Sequence, residues 1–394
     1  MPTSHPFQSS SAQKTDLPAP DAIASAHSAK VVEYIRQVMD EKGGAISFAD
    51  FMELALYAPG LGYYSAGSHK FGAAGDFVTA PEVSSLFAKC LARSIRPTLE
   101  QLEQVAVMEI GAGSGVLARD LIAELDQLGC PVDEYFILER SADLRERQQQ
   151  TLAASAGRVN WLDQLPEHFS GVVLANEVLD ALPVHYIGVQ QGDAVEAYVT
   201  WQQDHFDWQA GPLSDQRLAE RVLELRERFG QDLADGYVTE INLAAEDWVR
   251  TLGQMLERGL LLLIDYGFPR HEYYHPQRHM GTLMCHYRHY AHGDVFWYPG
   301  LQDLTAHVDF TAIAEAAVAS GLAVNGYTNQ ANFLLGSGLL EIVQAADAQL
   351  DYAGQIRQLT LPQEMGELFK VIGFTRQLSV NTPGFMLRDL THTL

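Results

Sequence analysis

The stretch Val105 to Leu128 constrains this chain more than any other. A short apolar run, Val105 to Ile110, reads as a buried strand. Three glycines at alternate positions follow, Gly111, Gly113 and Gly115, and a helical pattern then runs from Val116 to Leu128. Strand, glycine turn and helix bring backbone amides and the positive end of a helix up to a ligand, and they do so in α/β folds.

The chain around it reads accordingly. Residues 1–20 are rich in Ser and Pro, offer nothing to bury and are expected to be disordered. Val31, Val32, Ile35 and Val38-Met39 predict a helix ending at Gly43-Gly44. Ser47 with Asp50 caps a second helix, Phe48 to Tyr57. A loop dense in glycine and aromatics follows, and so long a loop with aromatic content reads as functional. Thr79 and Pro81 suit the start of a helix running to about Leu102. From Val105 strands and helices alternate, with strands at 135–138, 159–162, 172–175 and 260–264, which predicts a parallel sheet with helices on both faces. The alternation breaks at 184–242, where a hairpin (194–201 with 205–209) and a charge-laced helix (217–229) mark an α+β insertion. A His- and Tyr-rich loop spans 268–299. Helices at 310–320, 331–347 and 361–368, and strands at 322–327 and 369–375, complete the chain. The expected domains are therefore a helical and loop region over 21–104, a ligand-binding domain from 105–183 with 243–394, and the insertion on the acceptor side.

Two ligand classes use such a glycine turn: dinucleotides and S-adenosylmethionine. The dinucleotide fingerprint wants Gly-x-Gly-x-x-Gly, with pyrophosphate on the helix N-terminus. Here Val116 holds the third glycine position, and Glu109 stands two residues before the first glycine. A carboxylate there repels a pyrophosphate and suits the ammonium of a bound amino acid, so electrostatics favour the sulfonium donor. Glu139, at the end of the next strand, is placed to accept hydrogen bonds from ribose hydroxyls, a feature that NAD sites share. Trp161 or Asp163 could meet adenine, or be a core aromatic and an exposed acid. Asn176, Glu177 and Asp180 follow a strand whose C-terminal end lies at the mouth of such a site, as do Asp265 and Tyr266. Glu177 and Asp180 would pair bidentately with a cationic acceptor, and Asn176 and Asp180 serve equally as helix caps. The acceptor side is further assigned Asp76, Thr79, Glu82, Asp303, His307 and Asp309. Asp309 also suits an N-cap, and His307-x-Asp309 beside Cys285-His286 matches no metal motif, so no metal is expected.

Composition excludes several classes. A net charge of −24 without a Lys/Arg cluster argues against nucleic acid. The three scattered cysteines read as reduced thiols. No apolar run approaches the roughly 20 residues of a membrane span, and the N-terminus lacks the pattern of a signal peptide, so no membrane insertion and a cytoplasmic location are expected.

The blocks Glu109–Gly115, Tyr57–Tyr64, Gly75–Glu82, Asn176–Pro183, Asp265–Gly267, Pro299–Phe310 and Gly366–Lys370 together resemble the MidA family of class I S-adenosylmethionine-dependent methyltransferases. The resemblance covers roughly residues 30 to 375 and implies a Rossmann-like sheet with an added α/β part over the active-site mouth. It implies N-methylation of an arginine in a protein partner, which for the mitochondrial member is a complex I subunit. The block around Gly281-Thr282-Leu283 matches the family loosely. The alternatives are a cofactor-binding assembly factor without turnover and an NAD-dependent oxidoreductase. The sequence is compatible with a homodimer and does not choose an oligomeric state.

Overall fold

The computed structural model describes residues 6–7, 17–66, 79–139, 141–230, 233–345 and 352–394. Its centre is a twisted sheet in which the glycine-loop strand, Ala106–Ile110, lies between Glu134–Leu138 on one side and Phe169–Asn176 on the other. Val159–Leu162 closes one edge. On the other side follow Leu256–Phe268, Phe369–Arg376 and Ala323–Asn329. The pairings up to Leu256–Phe268 are parallel, as the strand–helix alternation predicts. Phe369–Arg376 runs antiparallel to both of its neighbours.

Alternate residues of each strand supply two cores. Val107, Val172, Leu174, Leu260 and Leu262 face the helices Ser85–Leu99 and Val116–Gln127. Met108, Val173, Ala175, Leu261 and Leu263 face Leu243–Met255 and Phe310–Ala319. A sheet sealed on both sides confines ligands to the C-terminal ends of its strands. That is where the glycine loop, Asn176–Asp180 and Asp265–Tyr266 converge.

A second sheet forms from the insertion strands His185–Gln190, Asp193–Gln202, His205–Gly211 and Val238–Ile241, joined by the short strand Ala45–Ser47 from the N-terminal region. The N-terminal helices Ala22–Glu41 and Phe48–Tyr57 pack on it around Ile35, Phe51, Val199 and Trp208. The N-terminal region and the insertion thus share one core. Disorder at residues 1–20 does not hold at Phe7, whose buried ring packs on Tyr186 and Trp208. The rest of that prediction falls largely on residues outside the described ones.

Local chemistry explains most boundaries. Ser47 accepts the Asp50 amide at 3.1 Å and starts Phe48–Tyr57, as expected. The helix expected over 79–102 divides into Ala80–Val83 and Ser85–Leu99, because Ser84 is extended and caps the second piece. The helix expected over 331–347 divides into Gln330–Gly336 and Leu339–Ala345, at Gly338 with φ +86°. The His- and Tyr-rich loop holds a hairpin, Met284–Tyr287 with Tyr290–His292, that pairs with Asp303–Thr305. No helix among the described residues is long and apolar enough to cross a membrane.

Candidate active site

A cavity of about 1020 Å³ opens at the C-terminal ends of the central strands. It is lined by Glu109, Gly111, Gly113, Glu139, Asn176, Glu177 and Asp180 from the sheet, by Thr79, Glu82, Tyr57 and Tyr64 from the N-terminal region, and by Tyr266, Asp303 and His307. Most residues assigned to the site from the sequence therefore meet at one place. Asp76 lies outside the described residues.

At one end the glycine loop is held in a conformation that L side chains avoid, with φ of +72° at Gly111, +51° at Gly113 and +81° at Gly115. A Cβ on Gly113 would meet no atom within 4 Å, so the loop faces open space there. Glu109 is 3% exposed and accepts a 2.6 Å hydrogen bond from the Tyr135 hydroxyl. Burial outweighs that bond and pushes its carboxyl up to about 7. The Glu139 carboxylate accepts the Ser141 amide at 2.8 Å and the Gln148 amide at 3.1 Å, which aims it along the cavity wall.

At the other end the turn after Phe169–Asn176 is strained and pinned. Glu177 has φ +55°, and its amide donates to the Ile264 carbonyl at 2.9 Å. The amides of Val178, Leu179 and Asp180 all donate to Asp265 Oδ2, at 3.1, 2.9 and 3.2 Å. Glu177 accepts the Asn176 side-chain amide at 2.9 Å, and Asp180 accepts the Tyr266 hydroxyl. Burial first, then the neighbouring Asp180, pushes Glu177 up to about 8, and burial pushes Asp180 up to about 6. The Tyr64 hydroxyl donates to Asp303 at 2.8 Å, and Tyr57 stacks on Tyr64 with ring centroids 5.4 Å apart. His307 lies flat against Phe268 and edge-on to Tyr266, where burial first, with Arg278 adding to it, pushes its imidazole down to about 4.

The family model for S-adenosyl-L-methionine-dependent methyltransferases matches residues 90–328 of this chain. The chain belongs to that family. A Burkholderia thailandensis protein whose crystal structure was solved bound to S-adenosyl-homocysteine superposes with a TM-score of 0.91 at 47% identity, over 96% of this chain and 100% of that one. The mouse mitochondrial protein arginine methyltransferase NDUFAF7 is 28% identical over 395 residues, covering 87% of this chain and 84% of the mouse protein. Its Caenorhabditis elegans homolog is 25% identical over 332 residues, covering 75% and 74%. The fold is that of the class I methyltransferases, and S-adenosyl-L-methionine is the cofactor.

The residues present fit that cofactor. It carries an ammonium and a sulfonium and no phosphate, and among the described residues the cavity wall has no Lys or Arg. Asn176 Oδ1 is buried with no hydrogen-bond partner, an acceptor free for an ammonium. Among the described residues no group of His, Cys, Asp or Glu is arranged to hold a metal ion.

Three assigned residues have other surroundings. Gly115 does not line the cavity; it is the left-handed N-cap of Val116–Gln127. Asp265, expected to be catalytic, is 0% exposed and spends its carboxylate on four backbone amides, so it shapes the turn that carries Glu177 and does not face the cavity. Asp309, expected on the acceptor side, caps Phe310–Ala319 and pairs at 3.2 Å with Arg270, a buried guanidinium that also pairs with Glu224 and Glu315. Of the two residues considered for adenine, Trp161 donates its indole N–H to Gln148, and Asp163 pairs with Arg145.

Sequence reading missed Tyr135 and Gln148. A tyrosine inside an apolar strand and a glutamine in a polar helix carry no local signal of a buried partner.

Proposed function

We propose that the enzyme methylates a guanidinium nitrogen of arginine in a protein partner. One observation carries this reading. Glu177 and Asp180 line the cavity side by side, both pushed up by burial, and among the described residues the cavity wall carries no Lys or Arg. A carboxyl pair raised by burial favours a cationic ligand, and a guanidinium offers five N–H donors in a planar fork that suits carboxylates. The relatives' naming as protein arginine methyltransferases supports it.

In this reading Glu109 and Asn176 hold the cofactor's ammonium and Glu139 its ribose hydroxyls. Bound S-adenosyl-L-methionine supplies an electrophilic methyl group on sulfur. Glu177 and Asp180 grip the guanidinium and aim one nitrogen, and Tyr57, Tyr64 and Tyr266 wall the approach against water. The N–C bond would form as the S–C bond breaks, its electron pair staying on sulfur to leave S-adenosylhomocysteine, and the nitrogen's proton would pass to the carboxylate pair, whose raised basicity suits it to accept. His307 stays neutral and adds no competing positive charge.

The test is incubation of the pure protein with labelled methyl donor and a lysate, followed by mass spectrometry of the labelled proteins. Methylarginine that disappears with Glu177→Gln supports the reading. Label on lysine or on nucleic acid sinks it, and so does an absence of label from an enzyme that binds S-adenosylhomocysteine. The family resemblance makes a respiratory complex I subunit the first acceptor to assay.

A further inference from the structure

We infer that Gln148 is a positioning residue for the methyl donor, clamping the glycine loop to the carboxylate that faces the ribose. It lies on the helix Ala142–Thr151, whose sequence is largely polar, and is the one buried residue of that helix, at 0% exposure. A glutamine hidden on so polar a helix has to have its amide satisfied.

It is satisfied by the donor site. The side-chain nitrogen donates to the Gly113 carbonyl at 3.0 Å and to Glu139 Oε2 at 3.1 Å. The side-chain oxygen accepts the Trp161 indole N–H at 2.9 Å. Turning the amide over would set its oxygen against a carbonyl and a carboxylate and its N–H groups against an N–H. One orientation is therefore fixed, and with it the gap between the glycine loop and Glu139. The indole fixes the amide, and the amide fixes both halves of the site.

The inference rests on the assignment of Glu139 to the ribose, and calorimetry separates the two. The ligands are S-adenosylhomocysteine and its 2′-deoxy analogue. Wild type is expected to bind the analogue about tenfold more weakly, since hydrogen bonds to charged groups contribute on that scale. A gap below about twofold that Glu139→Gln leaves unchanged removes the ribose assignment, and the inference with it.

Given the gap, Gln148→Met keeps the volume and removes the clamp. S-adenosylhomocysteine should then bind about tenfold more weakly, and the gap between the two ligands should shrink to about threefold or less. A residue that only supported the fold would weaken both ligands alike. Equal weakening, or no change, overturns the inference while leaving the ribose assignment standing. If Gln148→Met does not fold, Trp161→Phe reads the same clamp by freeing the amide to turn. A narrowed gap supports it and an unchanged gap overturns it.

Discussion

The Tyr135 hydroxyl donates to Glu109 Oε2 at 2.6 Å from the neighbouring strand, and that bond does not make up for the carboxylate's burial. The residue that sets donor chemistry is therefore held at a cost to the fold until a cation arrives.

The cost has a sign. Glu109 is raised to about 7 in the folded protein from an ordinary 4.5, so the folded state keeps its proton longer than the unfolded chain does. Without donor, stability should fall as pH rises from about 4.5 to about 7 and stay low above that. Glu109→Gln should stabilise the donor-free protein by on the order of 3 kcal/mol at pH 8, with the gain mostly gone by pH 5. Thermal melts at the two pH values check this. The same variant should lose S-adenosylhomocysteine binding.

Glu177 and Asp180 should control turnover rather than donor binding. With Glu177 held up to about 8 and Asp180 up to about 6, the ionised pair forms as pH rises, so the rate should climb across pH 6 to 8. Glu177→Gln should lower kcat by about a hundredfold or more and flatten the upper part of that rise, with the donor Kd nearly unchanged. A pH–rate profile and calorimetry on the same preparation decide it. A loss of donor affinity equal to the loss of rate would count against the assignment.

Asp309 should matter for stability and not for the donor. Asp309→Ala removes a helix cap and leaves the Arg270 guanidinium with one carboxylate fewer in a buried place. The expected loss is about 3 kcal/mol or more. Urea denaturation should show it, while S-adenosylhomocysteine affinity stays within about twofold of wild type.

The first two glycines of the loop should fail differently. Gly111 has φ +72°, and a Cβ there would come to 3.0 Å from Val178 Cγ2, in the turn that carries Glu177. Gly111→Ala should cost about 1–2 kcal/mol of stability and weaken the donor as well. Gly113 faces open space, so Gly113→Ala should lose donor affinity out of proportion to its fall in melting temperature. Melts and calorimetry on both variants check the contrast.

Some of this was legible because it is local. Ser47 caps its helix through a residue three positions on, and the glycine turn needs left-handed backbone wherever it is placed. The strand His185–Gln190 escaped notice for the opposite reason. It is defined by pairing with Asp193–Gln202 and Val238–Ile241 on either side. Ala45–Ser47 is likewise a strand only because the insertion lies beside it.

By itself the sequence determined the donor half: a strand, three glycines and Glu109 specify the backbone, the open space and the charge that a sulfonium amino acid needs. Side-chain partners across the fold were decided by tertiary structure alone. Asp265 lies near the end of Leu256–Phe268 and Asp180 just past Phe169–Asn176, yet one is consumed by backbone amides and the other faces the cavity. Asp309 meets Arg270, and Gln148 meets Gly113, Glu139 and Trp161, through contacts that strand order creates. A buried polar group is defined by what satisfies it, and in these cases the partner comes from elsewhere in the chain.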